Sequence, residues 1–163
     1  SRMKGLFARL WPRPAPIIDR AGPNDAHALA KLHGAAFHRG WSEQEFDRIL
    51  IERNAFAHRA RVKKQLVGFI VSRIAGDEAE ILSVAVARSE QGRGIGQMLL
   101  TRHLRELAGL GVRSVFLEVE DKNAPARRLY DLAGFLEVGR RENYYRTAGN
   151  EALSALVMRR DLA

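Results

Sequence analysis

Apolar and polar residues recur along this chain with two different periods, and the changes of period divide it into elements. Ile17 and Ile18 predict a short first strand. Asn24 or Asp25 then offers a helix cap before Ala28, Leu29, Leu32 and Ala36, whose three-and-four spacing makes one buried face. Ser42 stands three residues before Glu45, the spacing of a capping box, which predicts a second helix running to about Glu52. Ala55 to Arg61, Gln65 to Ile74 and Glu78 to Ala87 are strand-like runs. Lys63-Lys64 and Gly76-Asp77 join them as hairpins, so an antiparallel meander follows. The pattern then changes to a glycine-rich turn, a helix from Gln97 with Leu100, Leu104, Leu107 and Ala108 on one face, and a β-rich run from Ser114 to Val119. A strand-helix-strand unit requires its two strands to be parallel. Asn123 can cap a further helix through Tyr130, Gly134 suits its left-handed C-terminal residue, and Phe135 to Val138 and Ala152 to Met158 complete a mixed sheet. The class is α/β, with no internal repeat.

Composition narrows this picture by exclusion. The 163 residues suffice for one ordinary domain, expected over residues 17–163, with 46% hydrophobic and 28% charged residues typical of globular proteins. With no cysteine there can be no disulfide, thiolate metal site or cysteine acyl-enzyme. The apolar runs are far short of the roughly 20 residues that span a bilayer, and no signal-peptide core is read at the start, so a cytoplasmic protein is expected. The formal charge of +8 suits an acidic or phosphorylated ligand. Half of it comes from Arg2, Lys4, Arg9 and Arg13, within residues 1–16, which read as a flexible basic arm ended by Pro12, Pro14 and Pro16. The rest is only modestly basic, and no specific nucleic-acid partner is predicted.

The strongest chemical signal is Gln91-Gly92-Arg93-Gly94-Ile95-Gly96, lying between a strand and the helix from Gln97. Its backbone N–H groups can converge at a helix N-terminus, glycine lets the main chain approach a pyrophosphate, and Arg93 adds positive charge. A dinucleotide-binding unit imitates this order of elements but needs a glycine where Gln97 stands, and a tighter turn than Arg88 to Gln91 allows. A Walker loop is absent, since no Gly-Lys-Ser/Thr occurs.

The loop resembles the pyrophosphate motif of the GCN5-related N-acetyltransferase (GNAT) superfamily, Gln/Arg-x-x-Gly-x-Gly/Ala, through Gln91, Gly94 and Gly96. The preceding Leu82-Ser83-Val84-Ala85-Val86 and the later Asn123-x-x-Ala126-x-x-Leu129-Tyr130-x-x-x-Gly134-Phe135 stand at that family's spacings. Trp41-Ser42-Glu43, Leu117-Glu118-Val119 and the block from Arg140-Arg141 through Tyr144-Tyr145 to Met158 are similar to its ribosomal-protein-alanine N-acetyltransferases. The resemblance implies a mostly antiparallel sheet split in the middle, with helices on both faces. It implies acetyl-CoA as cosubstrate, its pantetheine arm paired with the main chain of Val84, Ala85 and Val86 and contacted by Asn123. The acyl carbonyl is then expected to meet a backbone N–H near Val86. A protein N-terminus, such as that of a ribosomal protein, is the implied acceptor, bound near Trp41, Ser42, Tyr144 and Tyr145. The family's proline before Trp41 is Gly40 here, and its usual Tyr-Tyr-Pro is Tyr144-Tyr145-Arg146, so the departures fall on the acceptor side.

Acetyl transfer to an amine moves two protons, one off the ammonium and one onto the departing thiolate. Glu118, alone in an apolar strand, is the candidate base, and an ion pair with one of many arginines is its structural alternative. Tyr130 is the candidate acid, because a phenol of reference pKa about 10 can donate to sulfur as a thiolate develops, and simple core packing is its alternative. The histidines show no metal-ligand spacing, so transfer without metal is expected. An α-amine is about 2.5 pKa units easier to deprotonate than lysine, roughly 3.4 kcal/mol. That favours an N-terminus, while lysine, a polyamine or an antibiotic amine remains the alternative acceptor. A fold that only senses acetyl-CoA, or a basic RNA-binding adaptor, are the rival classes.

Overall fold

The structure is a computed structural model that describes residues 13–37 and 39–162, with the side chains of Tyr144 and Tyr145 outside the description. Most of the expected arm therefore lies outside the described residues.

Among the described residues seven strands form one sheet, in the order β1-β2-β3-β4-β5-β7-β6. They are β1 Ile17–Arg20, β2 Ala55–Val62, β3 Gln65–Ala75, β4 Glu78–Val86, β5 Ser114–Glu120, β6 Leu136–Arg146 and β7 Ala152–Asp161. The first four are an antiparallel meander. β4 and β5 are the expected parallel pair, and β7 lies antiparallel between β5 and β6. β6 is much longer than the run Phe135 to Val138 suggested, because pairing with β7 extends it through the polar residues up to Arg146.

Among the described residues four α-helices cover the two faces. Helices α1 (Ala26–Ala36) and α2 (Glu43–Ile51) bury Leu29, Phe46 and Leu50 against Ala57, Phe69, Val71 and Ala85. Helices α3 (Ile95–Gly109) and α4 (Ala124–Leu132) close the larger core on the other face, where Leu99, Leu100 and Tyr130 meet Ala60, Ile70, Ile81 and Leu117. Gly68 brings α3 close, since a Cβ there would stand 3.1 Å from the Leu99 side chain and 3.2 Å from the Ala85 carbonyl. In α3 the buried stripe includes Leu99 and His103, while Ala108, expected inside, is exposed. The helix also starts two residues before Gln97, at Ile95, and Leu100, Leu104 and Leu107 lie on its buried face as predicted.

The local capping signals act as read at two helices. Ser42 Oγ accepts from the Glu45 N–H and Glu45 accepts from the Ser42 N–H, closing the capping box of α2. Gly134, at φ +86°, ends α4 while the Phe135 N–H returns to the Tyr130 carbonyl. Asp25 differs, because its carboxylate turns back to the Gly22 N–H and to Arg59 rather than forward onto α1.

One polar chain crosses the larger core. Arg102 holds Glu106 as a carboxylate, so His58 must donate to it through Nε2 at 2.7 Å. A neutral His58 then accepts at Nδ1 from His103 Nδ1, and His103 Nε2 accepts from Ser72, at 2.9 and 2.6 Å. Every donor in this line points the same way, so the two buried imidazoles satisfy each other without charge.

Candidate active site

The parallel pairing of β4 with β5 runs from Glu78↔Ser114 to Ile81↔Leu117 and stops. Beyond that point β4 stays with β3 as far as Val86↔Gly68, and β5 stays with β7 as far as Glu120↔Ala155. The sheet therefore opens as a V between Leu82–Val86 and Glu118–Glu120. The divergence begins at a bulge, where Val71 pairs with Ser83 and Ser72 with Ile81, leaving Leu82 unmatched. Such an extra residue bends and twists its strand, which is what parts the two edges. A cavity of about 640 Å³ fills the opening, lined by Ser83, Val84, Glu118, Asn123, Tyr130, Trp41 and others.

At the far end of β4, Gly92 and Gly94 take left-handed backbones, with φ +84° and +78°. Gly94 precedes α3, and no side chain caps that helix. The N–H groups of Ile95, Gly96 and Gln97, in the first turn, therefore lack intrahelical partners and can bind an anion. A Cβ at Gly94 would touch nothing within 4 Å, so the space over the loop is open. Gly96 serves packing instead, since its Cβ would lie 3.5 Å from Leu129 of α4. The Gln91 amide donates to the Val86 carbonyl at 3.3 Å and ties the loop to the strand. The Arg93 guanidinium is engaged within the protein, by Glu90 at 2.6 Å and by the Pro14 carbonyl at 2.9 Å.

Glu118 and Tyr130 line the same cavity from opposite faces of the sheet. Leu117 and Val119 point into the α3–α4 core, so the alternating strand sends Glu118 to the other face, where it is exposed and paired with Arg141. Tyr130 belongs to the α3–α4 core, 7% exposed, its ring edge-on to Phe135. Burial pushes its phenol up to about 12, so it keeps its proton at any ordinary pH. Asn123 Oδ1 accepts from the Ala126 N–H at 3.3 Å, capping α4, and also lines the cavity.

On the α1 side, Trp41 stacks on His33 with ring centroids 4.8 Å apart, and its backbone N–H donates to His33 Nδ1 at 3.0 Å. Both line the cavity, whereas Ser42 is occupied by the cap of α2 and is not among its lining residues. Burial depresses His33 to about 4, against a weaker opposing pull from Glu45, so its single proton sits on Nε2. Sequence reading passed over His33 and gave Ser83 and Arg141 no role beyond their places in matched motifs. A histidine on an apolar helix face and a serine in a strand carry no signal until the strands are paired. The backbone of Tyr145 pairs with Leu153, which puts the Tyr144-Tyr145 segment beside the connection whose Thr147 and Glu151 line the cavity. Among the described residues no group of three His, Asp or Glu could hold a metal ion, and no helix is long and apolar enough to cross a membrane.

The profile of the Acetyltransferase (GNAT) family matches residues 26–135. The "[Ribosomal protein bS18]-alanine N-acetyltransferase" of Haemophilus influenzae is 37% identical over 94 residues, covering 58% of this chain and 64% of that protein, just under two thirds of its length. The "N-alpha-acetyltransferase RimI" of Mycobacterium tuberculosis is 38% identical over 143 residues, 84% of this chain and 87% of that one. Among solved structures, the ribosomal-protein-S18-alanine N-acetyltransferase from Escherichia coli superposes with a TM-score of 0.86 at 28% identity, over 91% of this chain and 95% of its own.

Proposed function

Since this chain belongs to the GNAT acetyltransferase family, we propose that it transfers the acetyl group of acetyl-CoA directly to the α-amine of a protein N-terminus. The observation that carries this reading is the V between β4 and β5. It has left-handed glycines and the uncapped N-terminus of α3 at one end, and a carboxylate and a phenol from opposite sheet faces at the other.

The residues present fit acetyl-CoA. Open space over left-handed Gly94 and the uncapped N-terminus of α3 suit a pyrophosphate, with Gln91 to Gln97 forming the loop. The free edge of Val84, Ala85 and Val86 suits the amide groups of the pantetheine arm, with Asn123 across the opening. In the reaction Glu118 accepts a proton from the acceptor ammonium, and the neutral nitrogen attacks the thioester carbon. The C–S bond then breaks while the Tyr130 hydroxyl hydrogen-bonds to the departing sulfur, and sulfur ends with the second proton, which the nitrogen gives up. The products are an N-acetylated amine, free coenzyme A and one proton. Full transfer from a phenol at about 12 to a thiolate whose acid has pKa about 8.5 is uphill by roughly 3.5 units. Tyr130 therefore acts by hydrogen-bonding to sulfur while the C–S bond is breaking, before a free thiolate exists.

The acceptor assignment is supported by the names of the relatives, which act on the alanine of ribosomal protein bS18 or on N-α-amines, and by the lower pKa of α-amines. The stacked Trp41 and His33 give one wall of the entrance an aromatic surface suited to a peptide. A ribosomal protein N-terminus is the partner we infer, with the cytoplasm as the place of action. The test is thiol release from acetyl-CoA with N-terminal peptides, lysine peptides and polyamines. Fastest turnover on an alanine-first peptide is expected. Preference for lysine or a polyamine would overturn the acceptor alone, and no release with any amine would overturn the transferase reading.

A further inference from the structure

Ser83 marks the point where β4 parts from β5. It is the first residue beyond the bulge, pairs with Val71, and so shares a sheet face with Val71 and Ala85. That is also the face to which Glu118 projects, and both residues line the cavity. Ser83 is only 7% exposed, and its Oγ has no hydrogen-bond partner among the described residues.

Two other buried polar atoms lack a partner, Arg61 Nε and Asp121 Oδ1, but each belongs to a group bonded through another atom, to Asp19 and Arg140 respectively. Ser83 alone among the three leaves its entire polar group unmatched. Its strand neighbours Leu82, Val84 and Ala85 are apolar, and an aliphatic residue would suit the free protein better. A buried hydroxyl that works against the free protein is explained by a ligand that completes it. An amine entering the V brings N–H donors to a place where Glu118 stands on one side and Ser83 on the other.

We propose that Ser83 Oγ positions the acceptor amine, taking a hydrogen bond from one of its N–H groups opposite Glu118. This deepens the acetyltransferase reading and rests on it. With one N–H held by Ser83 and one proton removed by Glu118, the nitrogen lone pair is left facing the thioester laid along Leu82–Val86. The hydroxyl neither gains nor loses a proton in the step. Its effect is orientation, the difference between an amine that is bound and one aligned to attack.

The test is Ser83→Ala in the full chain, with three measurements beside wild type: melting temperature, acetyl-CoA affinity, and kcat/KM on an N-terminal peptide. The expected result is an unchanged or higher melting temperature, acetyl-CoA Kd within about twofold, and kcat/KM lower by about tenfold, the scale of one lost hydrogen bond. A lower melting temperature would show that the hydroxyl is bonded in the free protein, through water, and would overturn the proposal. Unchanged kcat/KM would overturn it as well, as would a fall explained by weaker acetyl-CoA binding. Wild-type protein that acetylates no amine would instead remove the acetyltransferase reading, and this proposal with it.

Discussion

One nitrogen of the Arg141 guanidinium bridges both oxygens of Glu118, at 3.0 and 3.2 Å, reaching over β7 where Ala155 stands opposite Arg141. In the proposed reaction an acceptor ammonium must reach this carboxylate, and it would have to displace Arg141 from it. Both side chains are well exposed, at 55% and 30%, so the pair contributes at most about 1 kcal/mol to stability. Glu118→Gln should therefore leave the melting temperature nearly unchanged while kcat falls about 10²-fold, with acetyl-CoA affinity retained. The deficit should shrink at high pH, where the amine is already neutral. A variant that melts much earlier and keeps its kcat would make Glu118 an ion-pair partner and nothing more.

At the glycine loop before α3, proposed to hold the pyrophosphate, Gly94→Asp and Gly94→Asn separate charge from shape. Both residues tolerate a left-handed backbone, and the open space at this position accepts either side chain. Acetyl-CoA at about 100 times its Kd should stabilise wild type by about 2.7 kcal/mol, a melting shift of roughly 5–10 °C. Asn should keep most of that shift and Asp lose most of it, as an anion placed against a pyrophosphate requires. Equal shifts in folded Asp and wild-type proteins would place the pyrophosphate elsewhere.

The loop that carries Trp41 rests on a glycine contact. A Cβ at Gly40 would stand 2.9 Å from the Gly34 Cα of α1, a backbone atom that cannot move aside, whereas a Cβ at Gly34 points into open space. Gly40→Ala should displace Trp41 and raise the peptide KM several-fold without changing acetyl-CoA affinity. Gly34→Ala should leave both constants alone and stabilise α1 by about 0.5–1 kcal/mol. Identical peptide kinetics in Gly40→Ala and wild type would remove the loop from the acceptor site.

The buried histidines make acid the weak side of this fold. Desolvation holds His58 and His103 below the usual imidazole value and His33 at about 4. Glu106 raises His58 against that trend, Arg20 adds to the lowering of both His58 and His103, and Arg102 to that of His58. In the unfolded chain these groups titrate near 6.5, so below that pH the unfolded state binds more protons and stability falls with pH. Each histidine then contributes up to about 1.4 kcal/mol per pH unit until its folded value is reached. Glu106 is lowered by Arg102 and His58 in spite of its desolvation, so its contribution is lost in the same direction, at lower pH. Urea unfolding at pH 7 and pH 5.5 should show a clear loss of stability at the lower pH. A flat response would mean that the histidines take up protons in the folded protein as they do in the unfolded chain.

Local chemistry was enough to read much of this protein. The Ser42–Glu45 capping box, the left-handed Gly134 and the glycine loop before α3 each act over a few neighbouring residues, so their spacing in the chain carries their geometry. The meander followed in the same way from turns at Lys63-Lys64 and Gly76-Asp77. Adjacent motifs also pointed to the acetyltransferase family, and the family profile bears that out. What residues far apart do to one another was not legible. The unmatched Leu82 that parts β4 from β5 is a property of pairing with β3, and Ser83 looks ordinary until that register is known. Arg141 is one of many arginines until β7 places β6 beside it, and His58 and His103 meet only because α3 packs on β2 and β3. A strand pattern specifies which face a side chain takes, but the neighbour across the sheet is chosen by register and packing summed over the whole domain.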